Sequence, residues 1–196
     1  MSDPAKRDTF CDLYRELEAL PDEVRAEIVA GEITVLPRPR PKHVRVASRL
    51  GSRIEGPFGF DSDGPGGWVV LDEPEIRFAD ELRIPDIAAW RVERYVEPED
   101  PPYVVRPDWI CEILSPSTAR TDRSEKLPLY ARHGVPHVWL IDPETETLEV
   151  YRRQGELWLL VGAHAGNAKV CAEPFDAIEL DLGALWRTPG SGPVSE

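Results

Sequence analysis

Cysteine is scarce in this chain, and its few cysteines are far apart. Only Cys11, Cys111 and Cys171 occur, an odd number with no CxxC pair among them. A disulfide framework needs paired cysteines, and a cysteine zinc site needs ligands at short, regular spacing. The pattern argues against both kinds of site, so we expect three reduced thiols in the cytosol.

Long apolar runs are also missing. No stretch reaches the roughly 18 to 20 residues that span a bilayer, and the N-terminal segment MSDPAKRDTF lacks the apolar centre of a signal peptide. We therefore expect a cytoplasmic protein with no membrane partner. Two catalytic motifs are absent as well, the GxxxxGK loop for a nucleotide triphosphate and the glycine-flanked serine of a hydrolase elbow. No nucleotide cofactor is expected.

Positive charge is in short supply. The 36 Asp and Glu residues outnumber the 23 Lys and Arg residues, which gives a formal net charge of -13 at pH 7. This balance opposes non-specific binding to nucleic acid, since phosphate contacts need concentrated Lys and Arg. A cationic cluster nevertheless lies early in the chain, and a bound metal would neutralise part of the acidic excess. This basic island comprises Arg38, Arg40, Lys42, Arg45, Arg49 and Arg53.

The length and composition are typical of one globular unit. At 196 residues and 22.1 kDa, with 41% hydrophobic and 30% charged residues, the chain can bury a core but is short for two domains. We predict a single domain over residues 1–186. The remaining segment, RTPGSGPVSE at 187–196, is predicted to be a disordered tail.

Helical spacing dominates the first part of the sequence. Apolar residues from Thr9 to Val29 recur at helical intervals around Pro21-Asp22, which predicts two short helices, the second ended by Gly31. Alternation predicts a strand from Glu32 to Leu36, and PRPRP predicts an extended connector. A further helix is predicted from about Pro41 to Ile54. Its arginines are predicted to face outward, and its inward face to consist of Val44, Ala47, Leu50 and Ile54.

Strand-like segments dominate the rest. A strand of the buried type is predicted from Arg106 to Leu114, and a helix from Asp122 to His133, closed by Gly134. This order of elements describes an α/β fold with a mixed central β-sheet flanked by helices and a further β-meander on the C-terminal side. The other predicted strands are Trp68 to Leu71, Pro74 to Phe78, Arg83 to Trp90, Val138 to Ile141, Leu148 to Tyr151 and Leu157 to Val161.

Two carboxylates and one amine are the candidate catalytic groups. Asp86 follows a proline on one predicted strand, and Glu112 lies within WICEIL on a strand predicted to be its neighbour. Mg²⁺ and Mn²⁺ prefer carboxylate oxygen, so both residues are predicted metal ligands, assisted by the main-chain carbonyl of Ile113. Lys126 would orient or deprotonate the attacking water, or stabilise the developing negative charge.

Each candidate also has a simpler interpretation. Asp86 could be a strand-end aspartate, and Lys126 could be a surface lysine that pairs with Asp122, because residues four apart share a helix face. Tyr130 belongs to the same face and is predicted to pack the helix onto the sheet. Glu112 is harder to explain in this way. A carboxylate inside WICEIL is buried, and an unpaired buried charge is costly unless a metal or a lysine compensates it.

Three further residues are candidates with open alternatives. Glu75 alternates inward on the strand before Asp86 and is a candidate third metal ligand, although a solvated or structural glutamate explains it equally well. Glu27 precedes the predicted catalytic core, which favours helix-end packing or a structural ion pair. His43 is predicted at the head of a helix, where it would contact substrate or metal, or merely cap and pack the helix.

The segments PDIAAW and PDWICEILSPSTARTDRSEKLPLYARHGVPHVWLIDP resemble the Uma-type family of restriction-endonuclease-like proteins, within the PD-(D/E)XK phosphodiesterase superfamily. EIVAGEITVLPRP and His43 resemble its N-terminal pattern, so the likeness covers roughly residues 10 to 152. The resemblance implies a restriction-endonuclease-like fold with Asp86 and Glu112 as metal ligands. Leu114 stands where the wider superfamily's ExK triplet has lysine, and the resemblance implies Lys126, from the following helix, in that role.

The expected function is metal-dependent hydrolysis of DNA by an endonuclease-like enzyme. The arginine-rich helix would face the DNA backbone, with His43, Arg45, Arg49 and Tyr130 as candidate substrate contacts. Two copies would pair as a homodimer to cut both strands. Two alternatives stay open. One is a catalytically silent interaction or regulatory protein that keeps the fold, and the other is a metal-dependent hydrolase of small phosphoesters, for which the acidic charge is less of an obstacle.

Overall fold

The computed structural model of the protein describes residues 9–188. They form a four-stranded sheet, a six-stranded sheet and a two-stranded ribbon. The helices are α1 (Thr9–Glu18), α2 (Pro41–Phe58), α3 (Ala119–Thr121), α4 (Leu127–Arg132) and α5 (Gly183–Trp186), and a π-helical turn (Asp122–Lys126) joins α3 to α4. The strands are β1 (Ala26–Val29), β2 (Glu32–Val35), β3 (Trp68–Asp72), β4 (Ile76–Phe78), β5 (Glu81–Arg83), β6 (Ile87–Arg91), β7 (Trp109–Ile113), β8 (His137–Asp142), β9 (Thr147–Gln154), β10 (Leu157–Ala165), β11 (Lys169–Val170) and β12 (Leu180–Asp181).

The small sheet is antiparallel and has the order β2-β1-β5-β4. β1 and β2 form a hairpin whose turn residues Ala30 and Gly31 have φ of 51° and 83°, as a two-residue hairpin turn of this kind requires. The predicted second helix is therefore wrong. The pairing of β1 with β5 sets Ile28 against Leu82, and Phe10 of α1 packs on both. Long-range burial thus outweighs the helical spacing of this segment.

The large sheet confirms the predicted mixed central sheet. Its order is β10-β9-β8-β7-β6-β3, with β7 and β8 parallel and the other neighbours antiparallel. Strands β8 to β10 form the predicted meander. The strand predicted from Arg83 to Trp90 is divided instead, since β5 belongs to the small sheet and β6 to the large one. Ile84-Pro85-Asp86 links the two sheets, and Pro85 has no backbone N–H with which to extend either ladder.

Helices cover both faces of the large sheet, because alternate residues of its central strands point to opposite sides. The three-layer arrangement confirms the predicted α/β class with a sheet between helices. On one face, α2 packs on β6 and β7 through Val46, Leu50, Ile54, Ile87, Ala89 and Trp109. On the other face, α4 packs on the same two strands and β8 through Leu127, Tyr130, Ala88, Ile110, Val138 and Leu140.

Helix α2 ends four residues later than predicted, at Phe58, and its buried face differs from the predicted one. Val44 is 50% exposed, whereas Val46 is buried together with Leu50 and Ile54. Residues 46, 50 and 54 are four apart and form one continuous row against the sheet. The arginines of the helix are half-buried rather than fully outward.

The last elements, β11, β12 and α5, have no counterpart in the sequence prediction. They return to the face covered by α2, where Phe175, Leu185 and Trp186 are buried. Residues 189–196 of the predicted disordered tail lie outside the described residues. At the start of that tail, the N–H of Arg187 donates a hydrogen bond to the carbonyl of Gly183. None of the helices within residues 9–188 combines the length and apolar character that crossing a membrane would need.

Candidate functional site

The predicted catalytic residues meet where the two sheets join. β6 and β7 are antiparallel with Ile87 opposite Cys111, so the next position outward sets Asp86 opposite Glu112. The prediction that these carboxylates are neighbours is confirmed, although Asp86 directly precedes β6 and does not lie within it. The helical segment that follows β7 returns over this edge of the sheet and brings Lys126 to Glu112. All three side chains line one small cavity.

Asp86 is held on both of its carboxylate oxygens. Its Oδ2 accepts the backbone N–H of Ile113 at 2.6 Å, and its Oδ1 lies 2.9 Å from Nε2 of His43, near the start of α2. Burial lowers the pKa of His43, but the hydrogen bond and negative charge of Asp86 outweigh burial, so the net pKa is raised. A backbone hydrogen bond to Ile113 acts in the same direction. His43 and Ile113 together fix the orientation of the Asp86 carboxylate.

Glu112 is only 2% exposed and has two side-chain partners. Its Oε2 accepts a hydrogen bond from Lys126 Nζ at 3.0 Å, and its Oε1 accepts one from the Tyr130 hydroxyl at 2.5 Å. Burial is the largest influence on this carboxyl and raises its pKa to about 8, because Lys126 compensates the desolvation only in part. The charge of Asp86 also raises it. The buried carboxylate is therefore short of positive charge.

Lys126 lies among three carboxylates. Its Nζ is 3.0 Å from Glu112, 3.5 Å from Asp122 and 3.6 Å from Glu27. Burial by itself lowers the pKa of Lys126, but the carboxylates outweigh it and hold the pKa far above its usual value. Burial also raises the pKa of Asp122. Lys126 is thus a buried, protonated amine and not the surface lysine of the simpler interpretation.

Glu27 and Arg83 complete the buried network. Glu27 is 2% exposed, accepts the backbone N–H of Ile84 at 2.9 Å and pairs with Arg83 at 3.2 Å. The structural ion pair favoured for Glu27 is therefore present, although the residue lies on a strand and not at a helix end. Sequence reasoning missed Arg83, which is also buried. An arginine inside the apolar run before Asp86 was the available signal, because a buried guanidinium needs a carboxylate partner.

The turn from Asp122 to Lys126 is π-helical. Such turns inside α-helices are rare and are frequent at functional sites. Asp122, Lys126 and Tyr130 are all buried, as their predicted common face requires, and the π turn directs Asp122 and Lys126 toward the strand that carries Glu112. The local departure from α-helical geometry thus belongs to the candidate site.

Two adjoining cavities open at Asp86. The smaller, of about 60 Å³, is bordered by Asp86, Glu112 and Lys126, by Ser115 and Ser117, and by the segment from Arg38 to Arg40. The larger, of about 450 Å³, runs along α2. It shares His43 and Asp86 with the smaller cavity, and its other charged lining residues are Glu55, Asp72 and Glu73. The two sides of Asp86 therefore differ in charge.

The carboxylates of the smaller cavity are the kind of donor that a divalent cation prefers. Within residues 9–188, no three His, Cys, Asp or Glu side chains already surround a common cation position. Mg²⁺ does not require three protein side chains, since it is usually bound by one or two carboxylates. Water molecules and substrate phosphates complete its coordination shell. Asp86 and Glu112 supply two carboxylates, and the raised pKa of buried Glu112 shows a shortage of positive charge that a cation would relieve.

Several predicted contacts lie elsewhere. Glu75 is not a third ligand here, since its carboxylate accepts a hydrogen bond from Tyr14 at 2.9 Å and borders neither cavity. Arg49 donates to the carbonyls of α5, at 3.1 Å for Ala184, so it caps that helix instead of facing the cavities. Arg45 borders neither cavity. Tyr130 is fully buried, borders neither cavity and donates its hydroxyl hydrogen bond to Glu112.

Comparisons with known proteins identify a family and a structure of similar fold. Residues 11–183 match the Uma2 family, described as "Putative restriction endonuclease". A comparison with curated proteins finds no match. Among solved structures, the chain is similar to the crystal structure of "a putative nuclease belonging to DUF820" from Anabaena variabilis, with a TM-score of 0.70 and 26% sequence identity. That likeness covers 89% of this chain and 96% of the other.

Proposed function

Since the chain belongs to the Uma2 family of restriction-endonuclease-like proteins, we propose that it is a metal-dependent endonuclease that hydrolyses the phosphodiester bonds of DNA. The observation that carries the proposal is the buried contact of Lys126 with Glu112, 3.0 Å long, beside a cavity that Asp86 also lines. A buried ion pair is seldom better for stability than apolar residues of the same volume. Its place beside a second carboxylate therefore favours a chemical role.

Asp86, Glu112 and the main-chain carbonyl of Ile113 are the proposed ligands of Mg²⁺ or Mn²⁺, and divalent ions are what restriction-endonuclease-like families generally use. The bound ion would lower the pKa of a water molecule and neutralise charge on the scissile phosphate. The chain's own contribution is orientation. His43 and the N–H of Ile113 fix Asp86, and Tyr130 fixes Glu112.

Lys126 is proposed to stabilise the negative charge that develops on the phosphate. Its surrounding carboxylates hold its pKa far above the usual value, so the amine stays protonated at neutral pH. A protonated amine can orient the water and stabilise an oxyanion, but it cannot accept the proton of the water. Of the roles predicted for Lys126, charge stabilisation therefore fits best.

A second candidate function is hydrolysis of a small phosphoester. The net charge of -13 and the acidic lining of the larger cavity favour a substrate with fewer phosphates than DNA. A homodimer is proposed for cleavage of both strands of a duplex. Light scattering of the purified protein would test the dimer, and a mass of one chain at all concentrations would remove it.

Cleavage assays separate these possibilities. Purified protein would be incubated with plasmid, with short oligonucleotides and with a generic phosphodiester, each with Mn²⁺, Mg²⁺ or chelator. We expect metal-dependent cleavage of plasmid that falls by at least about a thousandfold in Asp86→Asn, because the metal loses a charged ligand. The matched control, Glu75→Gln, also replaces an acid by its amide but borders neither cavity, so it should cleave normally.

Three outcomes decide the assignment. Cleavage that persists in Asp86→Asn would come from a contaminant and would reject the proposed site. Cleavage of the generic phosphodiester alone would replace DNA by a small phosphoester. No hydrolysis of any substrate, together with no calorimetric difference in Mn²⁺ binding between the wild type and Glu112→Ala, would leave an interaction protein that keeps a nuclease fold.

A further inference from the structure

The segment that joins β2 to α2 forms one wall of the smaller cavity. It reads Pro37-Arg38-Pro39-Arg40-Pro41, and the side chains of Arg38 and Arg40 are exposed. Both arginines border the cavity that contains the proposed metal ligands and Lys126. Arg25 also borders this cavity, but it is half-buried and pairs with Glu73 at 2.9 Å, whereas Lys126 is buried inside.

Within residues 9–188, Arg38 and Arg40 are both exposed and unpaired, unlike the other members of the basic island. Arg45 also lacks a partner for its Nε, but it is half-buried and borders neither cavity. Arg49 is engaged by the carbonyls of α5, Arg53 donates to the carbonyl of Arg49 at 3.2 Å, and Lys42 pairs with Glu144 at 2.7 Å. The guanidinium groups of the two arginines in the proline-rich segment, by contrast, have neither a hydrogen bond nor an ion pair with any of residues 9–188. Two unpaired guanidinium groups beside a catalytic cavity can take an anionic ligand without first breaking an ion pair.

The prolines restrict the backbone that carries this pair of arginines. Proline precedes and follows each arginine, and Arg40 has φ of -79° and ψ of 155°, the extended conformation that residues before proline prefer. In such a segment, residues two apart are separated by about 6 Å. A backbone that is already fixed loses little entropy when a ligand binds. The backbone positions that carry the two guanidinium groups are thus held at a set spacing, about 6 Å apart.

Charge on the other side of Asp86 directs an anionic ligand toward this segment. The larger cavity carries Glu55, Asp72 and Glu73, with His43 as its basic residue. Phosphates that lie along that cavity would be repelled, whereas phosphates that lie along the proline-rich segment meet guanidinium groups, which hold phosphate oxygens in a bidentate manner.

We propose that Arg38 and Arg40 bind the phosphates that flank the scissile one, so that the DNA strand runs along the Pro37 to Pro41 segment and not along the arginines of α2. This proposal rests on the proposed nuclease function. It replaces Arg45 and Arg49 as substrate contacts by two residues that the cavity exposes. The contacts are to the sugar-phosphate backbone and carry no base preference.

Salt-dependent binding tests the proposal. Fluorescence anisotropy would follow the wild type on a labelled DNA duplex in Ca²⁺ over a series of salt concentrations, beside plasmid cleavage in Mn²⁺. In the double variant R38A/R40A, the slope of log Kd against log salt should become shallower by about 2, one unit for each lost phosphate contact, with affinity about tenfold weaker at low salt. The charge-matched control R132A/R153A removes two exposed arginines that border neither cavity, and it should keep the wild-type slope.

The conservative variant R38K/R40K separates the effect of charge from that of guanidinium geometry. It should recover the wild-type salt slope, because lysine retains the charge, while its affinity stays below that of the wild type, because lysine lacks the bidentate geometry. A wild type that binds and cleaves DNA, with equal slopes in R38A/R40A and the control, would overturn this proposal alone. A wild type that neither binds nor cleaves DNA would overturn it together with the DNA substrate.

Discussion

The two faces of strand β7 are both buried, yet they contain opposite chemistry. On the face toward α2, Trp109 makes edge contacts with Trp139 and Phe175, at centroid distances of 5.2 and 4.9 Å. On the face toward α4, Glu112 contacts Lys126 and Tyr130. Trp109 and Glu112 are three residues apart on one strand, an odd number, so their side chains point to opposite faces.

The difference separates a face that stabilises the fold from a face that contains the proposed site. Buried aromatic side chains contribute transfer free energy and favourable edge contacts. Burial removes carboxylates from water, and the charges of their partners offset only part of the resulting desolvation penalty. The raised pKa of Glu112 reflects the part that is not offset. Loss of a partner on the charged face should therefore cost more than a conservative change on the aromatic face.

The largest expected effect comes from Lys126→Met, which leaves Glu27, Glu112 and Asp122 without the amine between them. Breaking a buried ion pair by removing one partner costs about 3–5 kcal/mol. The free energy of unfolding of the metal-free protein, measured by urea unfolding, should therefore fall by that amount. The matched control, Lys169→Met, removes an exposed lysine that pairs with Glu179 and should unfold like the wild type. Equal unfolding curves for the two variants would mean that the charged face needs no cation for stability.

A smaller effect is expected on the aromatic face. Phe175→Leu keeps an apolar side chain but loses ring contacts with Trp109, Trp139 and Trp68, so it should lower the free energy of unfolding by about 1–2 kcal/mol. Mn²⁺ affinity, measured by calorimetry, should stay at the wild-type value because the two faces share no side chain. A large change in metal affinity would show that the faces are coupled.

The smallest stability effect, about 1 kcal/mol, is expected for Tyr130→Phe, which removes one hydrogen bond to Glu112. Its more informative readout is the pH dependence of Mn²⁺ binding. The pKa of Glu112 is raised from 4.5 to about 8, so the folded metal-free protein favours the protonated carboxyl and loses that stabilisation as pH rises toward 8. A metal ion binds the ionised carboxylate of Glu112. The affinity of the wild type for Mn²⁺ should therefore rise as pH rises over the same range.

The Tyr130 hydroxyl lowers the pKa of Glu112 by donating a hydrogen bond to it. Without that bond the carboxyl should ionise at higher pH, and the rise in Mn²⁺ affinity measured by calorimetry should move upward in pH in Tyr130→Phe. An unchanged profile would indicate that Glu112 is not the group that competes with the metal for protons.

Much of this arrangement could be predicted from local sequence. WICEIL is nearly continuous in apolar residues, so a buried strand with a buried carboxylate follows from it directly, and PD before IAAW sets Asp86 at a strand start. Short-range pattern also predicts α2 and the meander. The hairpin of β1 and β2 was missed although its signal was present. β-Branched residues flank Ala30-Gly31, and a turn with glycine in its second position favours a two-residue hairpin.

Other features depended on contacts that local pattern does not encode. Glu27 and Arg83 are 56 residues apart, and their pairing exists only because β1 lies beside β5. Glu75 does not alternate inward as predicted, because Pro74, Ile76 and Phe78 are the buried residues of this segment, and half-buried Glu75 accepts a hydrogen bond from Tyr14. The capping of α5 by Arg49 spans more than a hundred residues in sequence. Such partners are chosen by the packing of distant elements, which periodicity cannot specify.

The sequence by itself determined which residue types are available for catalysis and on which strands and helices most of them lie. Asp86, Glu112 and Lys126 could be named from it because a buried carboxylate demands a compensating cation. Only the tertiary structure decided which arginines face the cavity, since exposure depends on every neighbouring element. Arg49 is tied to the end of α5, while the proline-flanked Arg38 and Arg40 stay exposed beside Asp86.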